Sequence, residues 1–146
     1  MKISILCVGN RLRGDDYLGI LFGKYIQKKF PNINVFFGYD TPEDCFFEIQ
    51  NILSDILIIV DAAIDLEHKN GAEFVSDLAT ITPTSTHAIP LNIMAKYLEQ
   101  SCKKILYLAI FVDEKNILGI QRKISKNGKK SLESAIVKFK NLLSFV

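Results

Sequence analysis

The chain has 146 residues, 49% of them hydrophobic and 23% charged, with a formal net charge of +2. That balance suits one globular domain spanning 1–146 and argues against disorder, and no apolar run reaches the ~20 residues of a membrane span. Cys7, Cys45 and Cys102 lie far apart without a Cys-x-x-Cys pair, so free thiols are expected rather than a disulfide framework or a zinc cluster.

From Ile3 to Val8 an apolar run predicts a buried strand that ends at Gly9-Asn10. It starts almost at once, with no small-residue cleavage site after it, so a cytoplasmic protein is expected. A short loop carries Arg11 and Arg13, and Gly14 is followed directly by Asp15 and Asp16. Tyr17 to Phe30 then reads as a helix, with Leu18, Leu21, Phe22, Tyr25 and Ile26 along one side. The N–H groups of a first helical turn favour carboxylates, which accounts well for one of the two acids. Gly9, Asn10 and Gly14 crowd the same corner, which points to the carboxyl end of a parallel strand, where α/β sheets place their sites. Gly19 and Gly23 each cost roughly 1 kcal/mol inside a helix, so their spacing predicts close packing on a sheet. Lys28 and Lys29 suit the helix C-terminus, and Pro31 stops it.

Asn34 to Tyr39 predicts a second strand. Thr41-Pro42-Glu43-Asp44 reads as a helix start of the capping-box type, with Phe46, Ile49 and Leu53 as the buried stripe. Asp55 to Asp61 is the clearest strand, continuously apolar from Ile56 to Val60 and finishing on an acid. Asn70-Gly71 marks a turn, and Ala72 to Val75 a short edge strand of antiparallel sense. Thr80 to His87 is hydroxyl-rich and reads as a loop; Pro90 opens a helix with Leu91, Met94, Ala95 and Leu98 inward. His68, between Glu67 and Lys69, reads as exposed. Lys104 to Val112 predicts another core strand, and Asn116 to Ile120 a short edge segment. Asn127-Gly128 reads as a turn before an amphipathic helix from Ser131 to Val146, with Leu132, Ala135, Ile136, Phe139, Leu142 and Leu143 inward. The last 44 residues carry ten Lys/Arg against three Asp/Glu. These lysines interleave with an apolar stripe and lack aromatic companions, so they read as a solvated helix face and no nucleic-acid partner is expected.

Strands alternating with helices imply a parallel sheet with right-handed crossovers, in which the first and third strands are neighbours. Their carboxyl ends would bring Asp15 and Asp16 near Asp61. With His87 in the later polar loop, Asp16 and Asp61 form a candidate cluster. Two carboxylates and an imidazole suit a borderline divalent ion with one position left open; paired-carboxylate acid/base chemistry is the alternative. There is no Gly-x-Ser-x-Gly elbow, Walker A loop or Gly-x-Gly-x-x-Gly fingerprint.

The opening ILCVGNRLRGDDYLG resembles the start of the peptidases that mature nickel-iron hydrogenases, a strand followed by Gly-Asn-x-Leu-x-x-Asp-Asp/Glu-x-x-Gly. Gly9, Asn10, Leu12, Asp15, Asp16 and Gly19 match that pattern, Asp61-Ala62 matches the family's second acidic position, and Thr86-His87 its histidine. The resemblance implies a three-layer α/β/α sandwich around a five-stranded, mostly parallel twisted sheet with one antiparallel strand. It implies an aspartic-type endopeptidase that removes a C-terminal extension from the hydrogenase large-subunit precursor after nickel insertion. Asp16, Asp61 and His87 would coordinate nickel carried in by that precursor, with no permanently bound cofactor, and Asp15 would cap a helix or orient its neighbours. A monomer is expected. Two departures stand out. Tyr17 replaces the usual small residue, which would narrow the cleft, and the stretch at Ala109-Ile110-Phe111 lacks the Gly-Ile-x-Pro of many members. Two rival readings are a non-catalytic partner that binds the metallated precursor, motivated by Tyr17, and a small-molecule hydrolase or phosphorylase with Arg11 and Arg13 as anion donors.

Overall fold

The computed structural model of the chain describes residues 1–65, 70–75, 81–83 and 90–146. In order the elements are β1 (Ile3–Val8), α1 (Leu18–Lys29), β2 (Asn34–Tyr39), α2 (Phe46–Ile52), β3 (Ser54–Asp65), β4 (Ala72–Val75), β5 (Ile81–Pro83), α3 (Leu91–Leu98), β6 (Cys102–Phe111) and α4 (Lys126–Leu143). The sheet runs β2-β1-β3-β6-β4, with β1 parallel to β2 and β3, β3 parallel to β6, and β4 antiparallel to β6. β1 and β3 are neighbours, as the alternation of strands and helices requires. The sixth strand, β5, pairs antiparallel with the end of β3, Asp65 facing Ile81. It lies within a stretch that reads as loop, because three residues between threonines and prolines are too few to show strand periodicity.

Alternation along the central strands builds two apolar layers. One contains Ile5 and Cys7 of β1, Ile58 and Val60 of β3, and Leu108 and Ile110 of β6, covered by α1 and α4. The other contains Leu6, Val8, Leu57, Ile59, Ala109 and Phe111, covered by Phe46 and Ile49 of α2 and Met94 and Leu98 of α3. This is a three-layer α/β/α sandwich. Phe139 of α4 meets Phe22 edge-on at 5.7 Å and Phe30 at 5.8 Å, tying the two helices of the first layer together. The lysines of α4 are exposed, as a solvated face requires, and Lys140 lies over the ring of Tyr25. No helix among the described residues is long and apolar enough to cross a membrane.

Four local expectations change. Leu53 is exposed rather than part of the α2 stripe, because the helix stops at Ile52 and Leu53 takes a left-handed conformation (φ 54°). Thr41 Oγ1 donates to the Asp44 carboxylate at 2.9 Å instead of bonding a backbone N–H, and a 3-10 turn, Pro42–Cys45, leads into α2. Asn127-Gly128 is the first turn of α4, capped by Ser125, rather than a turn before it. The segment around Asn116 to Ile120 is a 3-10 turn and loop with Ile117 buried in the first layer, and a parallel bridge just after it pairs Gln121 with Arg13.

Candidate active site

The loop after β1 folds back on itself through a short set of hydrogen bonds. The Asn10 side-chain oxygen accepts from the Leu12 N–H at 2.9 Å, an Asx turn, and the Asn10 carbonyl accepts from the Arg13 N–H. The chain then enters a 3-10 turn, Gly14–Tyr17, whose two acids are buried. Asp16 is fully buried, and its carboxylate accepts from the Asn10 N–H at 3.1 Å with the Arg13 guanidinium 3.9 Å away. The loop therefore closes on Asp16 from both sides. Gly9 is required here, since a Cβ at that position would lie 2.3 Å from the Asp16 carbonyl oxygen. A glutamine completes the corner: Gln121 accepts from the Gly14 N–H and donates from its own N–H to Leu12, both at 2.8 Å.

Asp15 has a different task from its neighbour. Its carboxylate accepts from the backbone N–H of Ser125 at 2.8 Å and from the Ser125 hydroxyl, while Ser125 Oγ accepts from the Gly128 N–H. A Cβ at Gly128 would come within 2.7 Å of that carboxylate. So Asp15 does cap a helix, but the helix is α4, 110 residues further along the chain, and not the one it precedes. The capping interaction clamps the Asp16 turn to the start of α4.

Asp61 lies on β3 in line with Leu57, Ile59 and Ala63, on the side covered by α2 and α3, and is fully buried. The helix carrying Gly19 brings the two acids to one end of the sheet. A Cβ at Gly19 would lie 2.3 Å from the Val8 carbonyl oxygen, 2.9 Å from that of Val60 and 3.5 Å from Asp61 Cα. Gly23, one turn on, packs as closely on Cys7 and Phe37. The expectation of a helix pressed onto the sheet is met at both glycines. Tyr107 of β6, opposite Ile59, is buried on the same side as Asp61. Burial pushes its phenol well above the ordinary tyrosine range, and the charges of Asp61 and then Asp16 push it further the same way. Both carboxylates therefore act on a single buried phenol.

His87 and Thr86 lie outside the described residues, as does His68. Tyr17 does not intrude on this corner. Its ring packs against the α1 and α4 layer, and its hydroxyl accepts from Lys24 Nζ at 2.8 Å. The three thiols are free, and burial raises each above its ordinary range, so none is primed as a nucleophile. Tyr107 and Ser125 escape a reading of the sequence. The first is a tyrosine in an apolar strand, and the second is marked only by its place before the α4 pattern.

No family model matches the chain. The hydrogenase 3 maturation protease of Escherichia coli K12 is 31% identical over 117 residues, 77% of this chain and 74% of that protein. The chain belongs to the hydrogenase maturation protease family. Two solved structures agree with this maturation protease fold. The crystal structure of an uncharacterized protein from Wolinella succinogenes is 33% identical, with a TM-score of 0.81 over 99% of each chain. The solution structure of the endopeptidase HycI from Escherichia coli is 28% identical, with a TM-score of 0.75 over 91% of this chain and 85% of that one. Membership makes this maturation protease homologue a peptidase, which disfavours the phosphorylase reading. Arg13, one of the two arginines on which that reading depended, is turned toward Asp16.

Proposed function

We propose that this chain is the endopeptidase that removes the C-terminal extension of a nickel-iron hydrogenase large-subunit precursor once nickel has been inserted. One observation carries the reading: two fully buried carboxylates lie just past the carboxyl end of β1, Asp16 in the turn that follows it and Asp61 one residue beyond the last β1–β3 pair, Cys7 with Val60. A divalent ion brought in by the substrate is a suitable partner for two oxygen donors, and His87 would add a nitrogen donor. The metal is then part of what is recognised, and its presence polarises the carbonyl beside it. A carboxylate of this pair serves as general base toward water, which makes the chemistry aspartic in type. Asn10 and Arg13 hold Asp16 in place, and Asp15 fixes the turn that carries it. The exposed apolar side chains Leu12, Leu118 and Ile120 lie on or beside the loops joined at Gln121, a surface suited to a protein substrate. The protein works as a monomer in the cytoplasm, where the precursor is assembled.

The test is incubation with precursor in nickel-loaded and nickel-free forms, followed by intact-mass measurement. Shortening of the loaded form alone is expected, and Asp16→Ala or His87→Ala should leave the loaded form intact. Complex formation with no shortening by the wild-type chain would reduce it to an assembly partner.

A further inference from the structure

Among the described side chains near the two acids, Tyr107 has a hydroxyl whose burial no hydrogen bond offsets. Strand β6 is otherwise apolar from Ile105 to Phe111, and a Phe ring would fill the same space. Tyr107 is 5% exposed, and its hydroxyl oxygen is buried without a hydrogen-bond partner among the described residues. Native proteins rarely leave such a group unpaired, because the lost bonds to water are not replaced. The register sets Tyr107 opposite Ile59, two residues short of Asp61 on the neighbouring strand and on the same side of the sheet. The same tyrosine lines a cavity of about 630 Å³ whose other walls are apolar at Ile59, Phe74, Val75 and Ile105 and charged, toward the start of β6, at Glu99, Lys103 and Lys104, a volume in the range that binds ligands.

We propose that Tyr107 is a substrate-binding residue whose hydroxyl donates to a backbone carbonyl of the polypeptide presented to Asp16 and Asp61, with an adjacent apolar side chain entering this cavity. The inference rests on the peptidase reading above. A tyrosine hydroxyl carries a proton to donate at neutral pH. The two carboxylates repel an anionic ligand. Beside Asp16 and Asp61 an uncharged acceptor is what remains, and a peptide carbonyl meets that description.

Tyr107→Phe removes one oxygen and nothing else. With nickel-loaded precursor, kcat/KM should fall roughly tenfold, through KM, since a carbonyl bound equally in ground and transition states contributes to binding alone. The melting temperature should stay unchanged or rise, because an unpaired buried hydroxyl is lost. Wild-type kcat/KM in the variant would overturn the assignment while leaving the peptidase reading intact. A lowered melting temperature would also overturn it, by showing that the hydroxyl is paired inside the fold. Failure of the wild-type chain to shorten the precursor would overturn both.

Discussion

The two faces of β3 are built from one stretch of chain and do opposite things. Toward α1 and α4 it presents Ile56, Ile58, Val60 and Ala62, an unbroken apolar row. Toward α2 and α3 it presents Leu57, Ile59, Asp61 and Ala63, with an acid set into the row and Tyr107 beside it. A strand buried on both sides needs apolar residues throughout, so an acid at a buried position is a concession of stability. The first face is devoted to holding the fold. The second gives up part of its cohesion, near the carboxyl end only, where a parallel sheet is open to a ligand.

Substitutions on each side should separate the two tasks. Phe139→Ala, on the side of the sheet away from Asp61, removes a ring in edge contact with two others and should cost about 3–5 kcal/mol of stability, read by chemical denaturation. The precursor should still be processed at temperatures where this variant is folded; loss of processing by the folded variant would show that the faces are not separable. Asp15→Ala probes the junction between them. It removes the partner of Ser125 at the start of α4 and should lower stability by about 1–2 kcal/mol, with a smaller loss of processing than any change at Asp16. Equal losses at the two acids would mean that they work as a pair and that the capping role is secondary.

The smallest effect is expected at the opposite end of the sheet. Asp55 accepts from the Lys2 backbone N–H at 2.7 Å and pairs with Lys103 at 3.0 Å, which together hold its carboxyl below the usual range. A carboxyl lowered in the folded state contributes its stabilisation above the ordinary carboxylate pKa and loses it as pH falls through the folded value. Asp55→Asn should therefore lower the melting temperature slightly at neutral pH, and the difference from wild type should close by about pH 2. Lys103 is largely exposed, so the effect is small and weaker still in high salt. A difference that persists in acid would assign it to something other than the charge.

The strands and their order were legible because apolar runs mark them plainly. Ile56 to Val60 could hardly be anything but a doubly covered strand, and its closing acid named Asp61 as a site candidate. Gly9, Asn10 and Gly14 were legible as one crowded corner beside the two acids, although the hydrogen bond from the Asn10 backbone N–H to the Asp16 carboxylate is visible only in three dimensions. Other features lay beyond local pattern. Asn127-Gly128 carries the strongest short-range turn signal, yet this glycine is needed because the Asp15 carboxylate occupies the space of its Cβ. No periodicity links two residues 110 positions apart. Leu53 continues the spacing of its helix, and only the left-handed backbone at that residue turns it outward. Tyr107 fits a strand on propensity alone, so its unpaired hydroxyl could not be foreseen.

The central claim is that charge at Asp61, rather than shape, makes this end of the sheet reactive. Asp61→Asn keeps the volume and removes the charge, so intact-mass measurement of nickel-loaded precursor after incubation with this variant tests it directly. The expected result is precursor of unchanged mass beside a variant that melts as cooperatively as the wild type. Shortening at the wild-type rate would contradict it.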